Sequence, residues 1–258
     1  TDASGANQGA LYFDTSAQIG FFQGDGSGST EAYLATNALY RDPAAWYHIT
    51  FVYDSANATS ANRLLMYVNG VQVTSFASAT YPSSSLASKI NANGVVHAIG
   101  VLPTSSTNFF DGYMAEVNFI DGQALTPSSF GKTDAVTGQW IPKKFASTYG
   151  TNGFYLKFAD ASAATAAAIG KDSSPNGNNW TPNNISVTAG ATYDAMIDSP
   201  TLSAVASNYP VLNPLLSAGG TTANGNLQVT TTVGVGHSRA TMAIPTSGKW
   251  YCEFTAVS

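Results

Sequence analysis

The segment from residue 109 to residue 130, FFDGYMAEVNFIDGQALTPSSF, constrains the fold more than any other part of the chain. Side chains from Tyr113 to Ile120 alternate between two Asp-Gly dipeptides, Asp111-Gly112 and Asp121-Gly122. Strict alternation is typical of a strand with one buried face, and Asp-Gly favours a tight turn. Thr126-Pro127 then supplies an N-cap and a proline at the first helical position. The segment therefore predicts a strand, a turn and a short helical turn.

The composition allows a packed core but predicts a surface with few charges. Of the 258 residues, 44% are hydrophobic and only 10% are charged, against roughly 25% charged in ordinary soluble domains. The net charge of -5 argues against nucleic-acid binding, because scattered cations would not neutralise phosphates. No apolar run approaches the roughly 18 residues that a membrane span needs. The lone Cys252 excludes an intrachain disulfide and is interpreted as a small buried side chain in a short strand.

Short strands separated by glycine and asparagine turns fill most of the first hundred residues. Trp46–Tyr53 alternates between two faces, and Arg63–Val68 and Val71–Phe76 flank the hairpin dipeptide Asn69-Gly70. A second Asn-Gly pair leads into a predicted strand, Val95–Ile99. Because no long segment has helical periodicity, the sequence predicts an all-β antiparallel sandwich.

The order of these motifs is similar to that of a known family. The WYHI strand opening, the YVNG hairpin, the IG pair and FDGYMAE follow the running order of laminin-G/concanavalin-A-like jelly rolls. More narrowly, DGYMAE and IDGQALTPSSFG resemble the version found in tail-fibre and other surface proteins of bacteriophages. The resemblance implies a jelly-roll sandwich over residues 1–130, and we expect this sandwich to lack its first strands.

Two further regions follow the predicted sandwich. Residues 131–223 are expected to form an irregular connector with one added strand near 149–158, and the passages Tyr149–Phe158 and Asp172–Trp180 resemble a region of the same phage proteins. From Asn224, the pattern that ends in GKWYCEF resembles the opening strands of a SPRY-type sandwich. We therefore expect residues 224–258 to begin a second, truncated sandwich, and the chain to be a fragment of a longer protein.

The residue pattern gives little support to catalysis. Glycoside hydrolysis needs two carboxylates about 5–9 Å apart, yet none of the three glutamates has a carboxylate two positions away on one strand face. Glu116 is interpreted as a solvated or turn-bonded carboxylate. The three histidines lack a Gly-x-Ser-x-Gly elbow and zinc-ligand spacing. We therefore predict that the chain is not an enzyme.

Calcium and glycans are the ligands that the sequence leaves open. The oxygen-rich loops around Asp25 and around Asp54 and Asn57 could bind Ca²⁺. Both loops could equally be surface turns, because neither repeats the dense acidic spacing of a dedicated calcium loop. Candidate aromatic platforms for a sugar are Tyr81, Trp140 and Trp180. Each of the three could equally anchor the core or a neighbouring domain.

The resemblance implies a non-enzymatic virion surface or tail-fibre protein, exposed on an extracellular particle. Such a protein would adhere to host-surface glycans, contact other virion proteins and form a homotrimer, in which weak contacts multiply through avidity. The first alternative is a capsid decoration or assembly module without sugar binding. A polysaccharide-degrading enzyme is the second alternative, and a cellular lectin-like adhesin also agrees with the motifs.

Overall fold

The computed structural model of the protein describes most of the chain. The described residues are 8–103, 107–188, 194–196, 199–201, 208–231, 236–244, 246–251 and 255. Within these ranges the helical elements are two three-residue 3-10 turns, Ser60–Asn62 and Pro127–Ser129. Every strand pair is antiparallel. The prediction of an all-β chain with antiparallel sheets is confirmed.

Fifteen strands follow one another in the described part of the chain. The first seven are β1 (Gly9–Phe13), β2 (Ile19–Gly24), β3 (Thr30–Thr36), β4 (Ile49–Tyr53), β5 (Leu64–Val68), β6 (Val71–Gln72) and β7 (Phe76–Thr80). The other eight are β8 (Val117–Phe119), β9 (Gly131–Thr133), β10 (Trp140–Pro142), β11 (Phe154–Leu156), β12 (Leu212–Ala218), β13 (Gly220–Ala223), β14 (Gln228–Thr231) and β15 (His237–Ala240).

Two sheets form a sandwich around the main apolar core. One sheet has the strand order β1-β2-β3-β7 and the other has the order β4-β5-β6. The buried side chains shared between them, none more than 2% exposed, are Ile19, Phe21, Ala32, Leu34, Leu64 and Met66. Their spacing of two along each strand places them on one face. The sandwich therefore follows directly from the alternation in the sequence.

A buried amide ties a later segment to this sandwich. The side chain of Gln23 lies on β2 and is 0% exposed. Its Oε1 accepts the N–H of Lys89 at 3.0 Å, and its Nε2 donates to the carbonyl of Ala87 at 3.0 Å. The side chain of Gln23 thus helps to hold residues 87–89 against the first sheet.

The predicted hairpin at Asn69-Gly70 is confirmed, and it also fixes where β4 begins. Asn69 and Gly70 have φ values of 49° and 79°, as a tight hairpin turn requires. The Oδ1 of Asn69 accepts the N–H of His48 at 2.8 Å, and its N–H donates to the His48 carbonyl at 2.8 Å. Because the turn residue occupies the polar groups of His48, the predicted strand Trp46–Tyr53 starts only at Ile49.

Three other predicted strands are missing or shortened. Of the predicted strand Val71–Phe76, only Val71–Gln72 pairs with β5 as β6, and Phe76 begins β7 in the other sheet. Val95–Ile99 forms no strand. The imidazole of His97 instead accepts the N–H of Asn91 at 2.9 Å and lies 3.1 Å from the Val95 carbonyl. The strand predicted over Tyr113–Ile120 is reduced to β8, because Glu116 has a φ of 55° and interrupts the extended chain.

Beyond the sandwich the strands pair two by two. β8 pairs with β11, β9 with β10, β12 with β15, and β13 with β14. β11 falls within residues 149–158, where the sequence predicts one added strand, but β9, β10, β12 and β13 also lie in the predicted connector. The helical turn predicted after Thr126 is confirmed as Pro127–Ser129. The strand predicted around Cys252 falls largely outside the described residues, and its described members Trp250 and Tyr251 are in no strand. The region boundaries at 130 and 223 stay predictions.

Candidate functional site

A large open groove is bordered by β1, β4 and the segment that leads into β8. Its volume is about 2850 Å³, well above the roughly 300–1,000 Å³ of an ordinary ligand pocket. Three of the four tryptophans of the chain line it, namely Trp46, Trp140 and Trp180. The groove is therefore of a size for an extended ligand, such as an oligosaccharide or a polypeptide segment.

Trp140 is fixed in the groove wall by a histidine and two glycines. Its Nε1–H donates to Nδ1 of His48 at 3.1 Å, and the two rings lie 5.8 Å apart. A Cβ on Gly70 or Gly131 would come within 2.5 Å of the indole, so the ring needs glycine at both positions. Burial lowers the pKa of His48 although the charge of Glu116 acts to raise it. The neutral imidazole can therefore accept the indole N–H.

Trp180 belongs to a second aromatic group on the groove. Its ring centroid lies 4.9 Å from that of Phe154, which in turn stacks at 5.6 Å on Phe119 across the β8-β11 pair. The N–H of Trp180 donates to the carbonyl of Gly170 at 2.8 Å. Trp180 is half-buried, so part of its surface is available to a ligand in the groove.

The carboxylate of Glu116 lies in the same groove and accepts two hydroxyls. Tyr155 donates to Oε1 at 3.1 Å, and Thr201 donates to Oε2 at 2.7 Å. Burial and then the charge of Glu116 raise the pKa of Tyr155, so the phenol stays a donor. The interpretation of Glu116 as solvated or turn-bonded is wrong, since its partners lie 39 and 85 residues away. Glu116 also has a φ of 55°. A non-glycine residue at positive φ costs about 1–3 kcal/mol and is found preferentially at functional sites.

A buried carboxylate organises the loop that carries Trp180. Asp172 is only 4% exposed, and it accepts N–H groups from Tyr155, Ser174 and Asn178, each at 2.8 Å. The hydroxyl of Ser174 adds a fourth bond at 2.8 Å. Burial acts to raise the pKa of Asp172, but these donors outweigh it and hold the pKa below its usual value.

Two asparagines of the same loop connect it to the chain before β11. The Nδ2 groups of Asn176 and Asn178 donate to the carbonyl of Gly153 at 2.8 Å and 3.0 Å. We call Asp172, Asn176 and Asn178, with their partners in residues 150–155, the polar clasp. The clasp positions Phe154 and Trp180 at the groove. Sequence reasoning missed it, although an aspartate followed by serine two positions later is a recognisable turn signal.

The structure separates the three aromatic residues predicted to bind a sugar. Trp140 and Trp180 line the same groove. Tyr81 lies elsewhere and packs against the core of the sandwich, next to the fully buried Pro82. The geometry of Tyr81 therefore matches the core-anchor alternative, and sugar binding by the two tryptophans stays a prediction.

The residues predicted to bind calcium lie in two different turns. Asp25 accepts the N–H groups of Ser27 and Ser29 at 2.8 Å and 3.1 Å, and its pKa is lowered first by the hydroxyl of Ser27. Asp54 and Asn57 lie together at a smaller pocket of about 330 Å³. Across the described residues, no three His, Cys, Asp or Glu side chains are grouped to hold a metal ion. Calcium binding stays a prediction.

These features define an all-β sandwich protein with an open, aromatic-lined groove. Residues 1–129 match the family model of the concanavalin A-like lectin/glucanases superfamily, and the chain belongs to this superfamily. The superfamily contains both lectins and glucanases, so membership alone does not decide between binding and hydrolysis. No curated protein and no solved structure matches the chain at a significant level. The described part of the chain contains no helix with the length and apolarity to cross a membrane.

Proposed function

We propose that the chain is a non-enzymatic, carbohydrate-binding part of a virion surface or tail-fibre protein, and that its groove receives a host-surface glycan. The observation that carries this proposal is the joint placement of Trp140, Trp180 and Glu116 on one groove of a chain whose superfamily includes lectins. Aromatic side chains can cover the apolar faces of sugar rings, and a few fixed polar groups then orient the hydroxyls.

Several carboxylates are engaged in hydrogen bonds or an ion pair within the protein, which favours a binding function over hydrolysis. A glycoside hydrolase needs one carboxylic acid and one carboxylate free to act on the bond. Six aspartates instead accept the N–H of the residue two positions later: Asp14, Asp25, Asp42, Asp134, Asp160 and Asp172. Glu31 lies 3.8 Å from the ammonium of Lys89. These seven of the fifteen carboxylates of the chain hold turns and sheets together, which supports a structural rather than a catalytic role for them.

The virion setting rests on the motif resemblance rather than on the groove. The DGYMAE and IDGQALTPSSFG motifs and the GKWYCEF ending support a phage fibre or surface protein in which a SPRY-like sandwich begins near Asn224. We propose a homotrimer on the particle surface, in contact with other virion proteins. Three copies of a weak glycan site would then bind a cell surface through avidity.

A structural assembly module is the second candidate, because the groove also exposes large apolar side chains. Leu11, Phe109, Phe110 and Met114 line it and are 49%, 63%, 37% and 39% exposed. Exposed apolar patches of this kind mark protein interfaces. In this alternative, a segment of a neighbouring virion subunit fills the groove and no sugar binds there.

Glycan-array binding followed by tryptophan fluorescence titration tests the proposal. We expect an oligosaccharide to change the fluorescence of the wild type, because three tryptophans line the groove. Trp180→Ala should weaken binding by about tenfold, on the order of 1.4 kcal/mol. Trp250→Ala is the matched control, since Trp250 is 60% exposed and lies outside the groove.

Two results would overturn the proposal. Release of reducing ends from a bound polysaccharide by the wild type would show that the protein is an enzyme. Absence of any glycan binding, together with antibody labelling of this chain evenly over capsids rather than at fibre tips, would favour the assembly module.

A further inference from the structure

The chain contains five Asn-Gly dipeptides, and such a pair can modify itself without an enzyme. Their asparagines are Asn69, Asn93, Asn152, Asn176 and Asn224. The backbone nitrogen of the glycine can attack the side-chain carbonyl carbon of the asparagine, because glycine has no Cβ to hinder the approach and its backbone adapts readily. The attack needs an unbound side chain and a backbone that can move. The structure around each pair therefore decides whether the reaction occurs.

Asn93 and Gly94 form a turn with few neighbours, which we call the open turn. Both residues are exposed, and no atom lies within 4 Å of a Cβ built on Gly94. Within the described residues, neither the side chain of Asn93 nor the N–H of Gly94 takes part in a hydrogen bond. The attacking nitrogen and the attacked carbon are therefore both accessible.

The residues on either side of the open turn are held in place. Asn91 donates its N–H to Nε2 of His97 at 2.9 Å, and its Nδ2 donates to Oδ1 of Asp121 at 3.1 Å. The Nδ1 of His97 lies 3.1 Å from the carbonyl oxygen of Val95. The open turn can thus change its conformation in the folded protein without loss of the neighbouring structure.

Two of the other asparagines are bound through their side chains within a hairpin. The Oδ1 of Asn69 accepts the N–H of His48 at 2.8 Å. The Nδ2 of Asn224 donates to Oε1 of Gln228 at 2.6 Å. Attack on either side chain would first have to break its hydrogen bond, which raises the barrier.

The remaining two pairs are held by the polar clasp. The Nδ2 of Asn176 donates to the carbonyls of Gly150 and Gly153 at 2.6 Å and 2.8 Å. Gly153 follows Asn152, is buried, and is packed so closely that a Cβ on it would clash with the carbonyl oxygen of Tyr149. The amide of Asn176 is therefore bound, and the nitrogen that would attack Asn152 has no room to move.

We propose that Asn93 is a site of spontaneous deamidation. The nitrogen of Gly94 loses its proton to solvent and bonds to Cγ of Asn93, while the Cγ–Nδ2 bond breaks and ammonia leaves. Water then opens the resulting cyclic imide at one of its two carbonyls. Opening at Cγ gives aspartate, and opening at the backbone carbonyl gives isoaspartate, whose main chain is one carbon longer. The reaction consumes water, releases ammonia and involves no oxidation or reduction.

The product carries a new carboxylate on the wall of the groove, because Asn93 and Gly94 both line it. It adds one negative charge to a chain whose net charge is already -5. Asp121 is bound to the same segment, so two carboxylates then lie on this part of the wall. The groove becomes less favourable for an anionic ligand as the protein ages. The inference concerns covalent chemistry and does not depend on the proposed glycan binding.

Peptide mapping by mass spectrometry, on the full chain kept in mildly alkaline buffer, tests this proposal. Deamidation should be about tenfold faster at Asn93 than at Asn69, whose hydrogen bond must break first; a tenfold ratio corresponds to roughly 1.4 kcal/mol in the barrier. In the urea-denatured chain all five pairs should react at similar rates, because the bonds that hold the other four are lost. The comparison separates the effect of the fold from that of the Asn-Gly sequence.

Gly94→Ala tests whether the glycine nitrogen is the attacking group. The added methyl group hinders the approach, so most of the product at Asn93 should be lost. Gly138→Ala is the matched control, because Gly138 has a φ of 72°, close to the 75° of Gly94, has no atom within 4 Å of a built Cβ, and follows Thr137 rather than an asparagine. A slow reaction at Asn69 shows in each variant that the chain is folded.

Fast deamidation at Asn93 in the folded chain, together with similar rates at all five pairs in urea, supports the proposal. Similar rates at all five pairs in the folded chain would overturn it, as would a faster reaction at any of the other four. An unchanged rate at Asn93 in folded Gly94→Ala would also overturn it, because the glycine nitrogen would then not be the nucleophile. The wild-type comparison decides the matter if this variant fails to fold.

Discussion

The sandwich and the polar clasp belong to one chain but are stabilised by different interactions. The sandwich buries apolar side chains such as Leu34 and Met66 completely, so removal of apolar surface from water holds its two sheets together. The clasp has Asp172 at its centre, and its bonds run from side chains to backbone groups of the neighbouring loop. The strands near the clasp are too short to enclose an apolar core. This irregular segment is instead ordered by side-chain amides and a single carboxylate, although the chain has few charges.

The groove is where these two kinds of structure meet. Trp140 rests on the hairpin turn of the sandwich at Gly70, whereas Trp180 is carried by the loop of the clasp. If either region loosens, one of the two tryptophans loses its position. Substitutions confined to one region should therefore affect stability to different extents.

The largest effect is expected from a cavity in the sandwich. Leu34→Ala should lower the free energy of unfolding by about 2–5 kcal/mol, because Leu34 is 0% exposed and its methyl groups would leave an empty space. Urea denaturation followed by circular dichroism measures the loss. Leu216→Ala, at a side chain that is 49% exposed, should cost far less. Equal losses for the two variants would show that the apolar core does not dominate the stability of the sandwich.

The next largest effect is expected at the turn beneath Trp140. Gly70→Ala should destabilise the protein by about 2–3 kcal/mol, since alanine must adopt a positive φ and its Cβ would collide with the indole. Thermal unfolding followed by tryptophan fluorescence measures this loss of stability. Gly94→Ala has a similar φ with no atom within 4 Å, so it isolates the backbone strain, about 1–2 kcal/mol. If both variants lose the same amount, Trp140 is not fixed by contact with Gly70.

A smaller effect is expected in the clasp. Asp172→Asn should cost about 1–3 kcal/mol, because its amide group cannot accept all four of the bonds that the carboxylate accepts. Amide hydrogen exchange of Tyr155 and Asn178 should speed up, while β2 and β3 stay protected. Asp160→Asn, in an exposed turn with the same spacing to a serine, is the control. Unchanged exchange in the clasp would contradict the role assigned to Asp172.

The smallest effects are expected from pH, and they occur in different windows for the two regions. The pKa of His48 is lowered in the folded state, so the unfolded chain binds more protons and stability falls as the pH drops below about 6.5. The pKa of Asp172 is also lowered, so its contribution is present above about pH 4 and is lost as the pH falls further. Urea denaturation at a series of pH values should show both losses. His48→Gln should remove the first one only, and a first loss that persists in this variant would assign it to another group.

The sequence predicts β4, β5 and the hairpin after β5 because apolar alternation and hairpin dipeptides are local signals, whereas β1, β2 and β3 are not among the predicted strands. The turn at Asn69-Gly70 and the two-residue spacing of Leu64 and Met66 are visible without any knowledge of the fold. The partners of Glu116 are not visible, since Tyr155 and Thr201 lie far along the chain and a phenol can bond many acceptors. A sequence pattern gives the donors and acceptors of a segment but not their choice of partner.

The candidate site was predictable in its residue types more than in its arrangement. The sequence predicts Trp140 and Trp180 as aromatic residues in loops, whereas the structure places Trp140 in β10 and both side chains on one groove. The bond from Trp140 to His48 spans 92 positions and depends on how the β9-β10 pair packs against the sandwich, which no local pattern specifies. Asp54 and Asn57 share a short loop, and the pocket that both line also includes residues of a sheet.

The bonds of Gln23 to residues 87–89 also determine where the chain will accept extra sequence. These bonds fix residues 87–89 within the long span between β7 and β8. The turn at Asn93-Gly94 follows the fixed residues in the same span. Lengthening a loop costs only about 0.6 kcal/mol per doubling, and no atom lies within 4 Å of a Cβ built on Gly94. A short peptide tag inserted after Asn93 would therefore be displayed at the rim of the groove, whereas one inserted at Ser88 would separate this span from the first sheet.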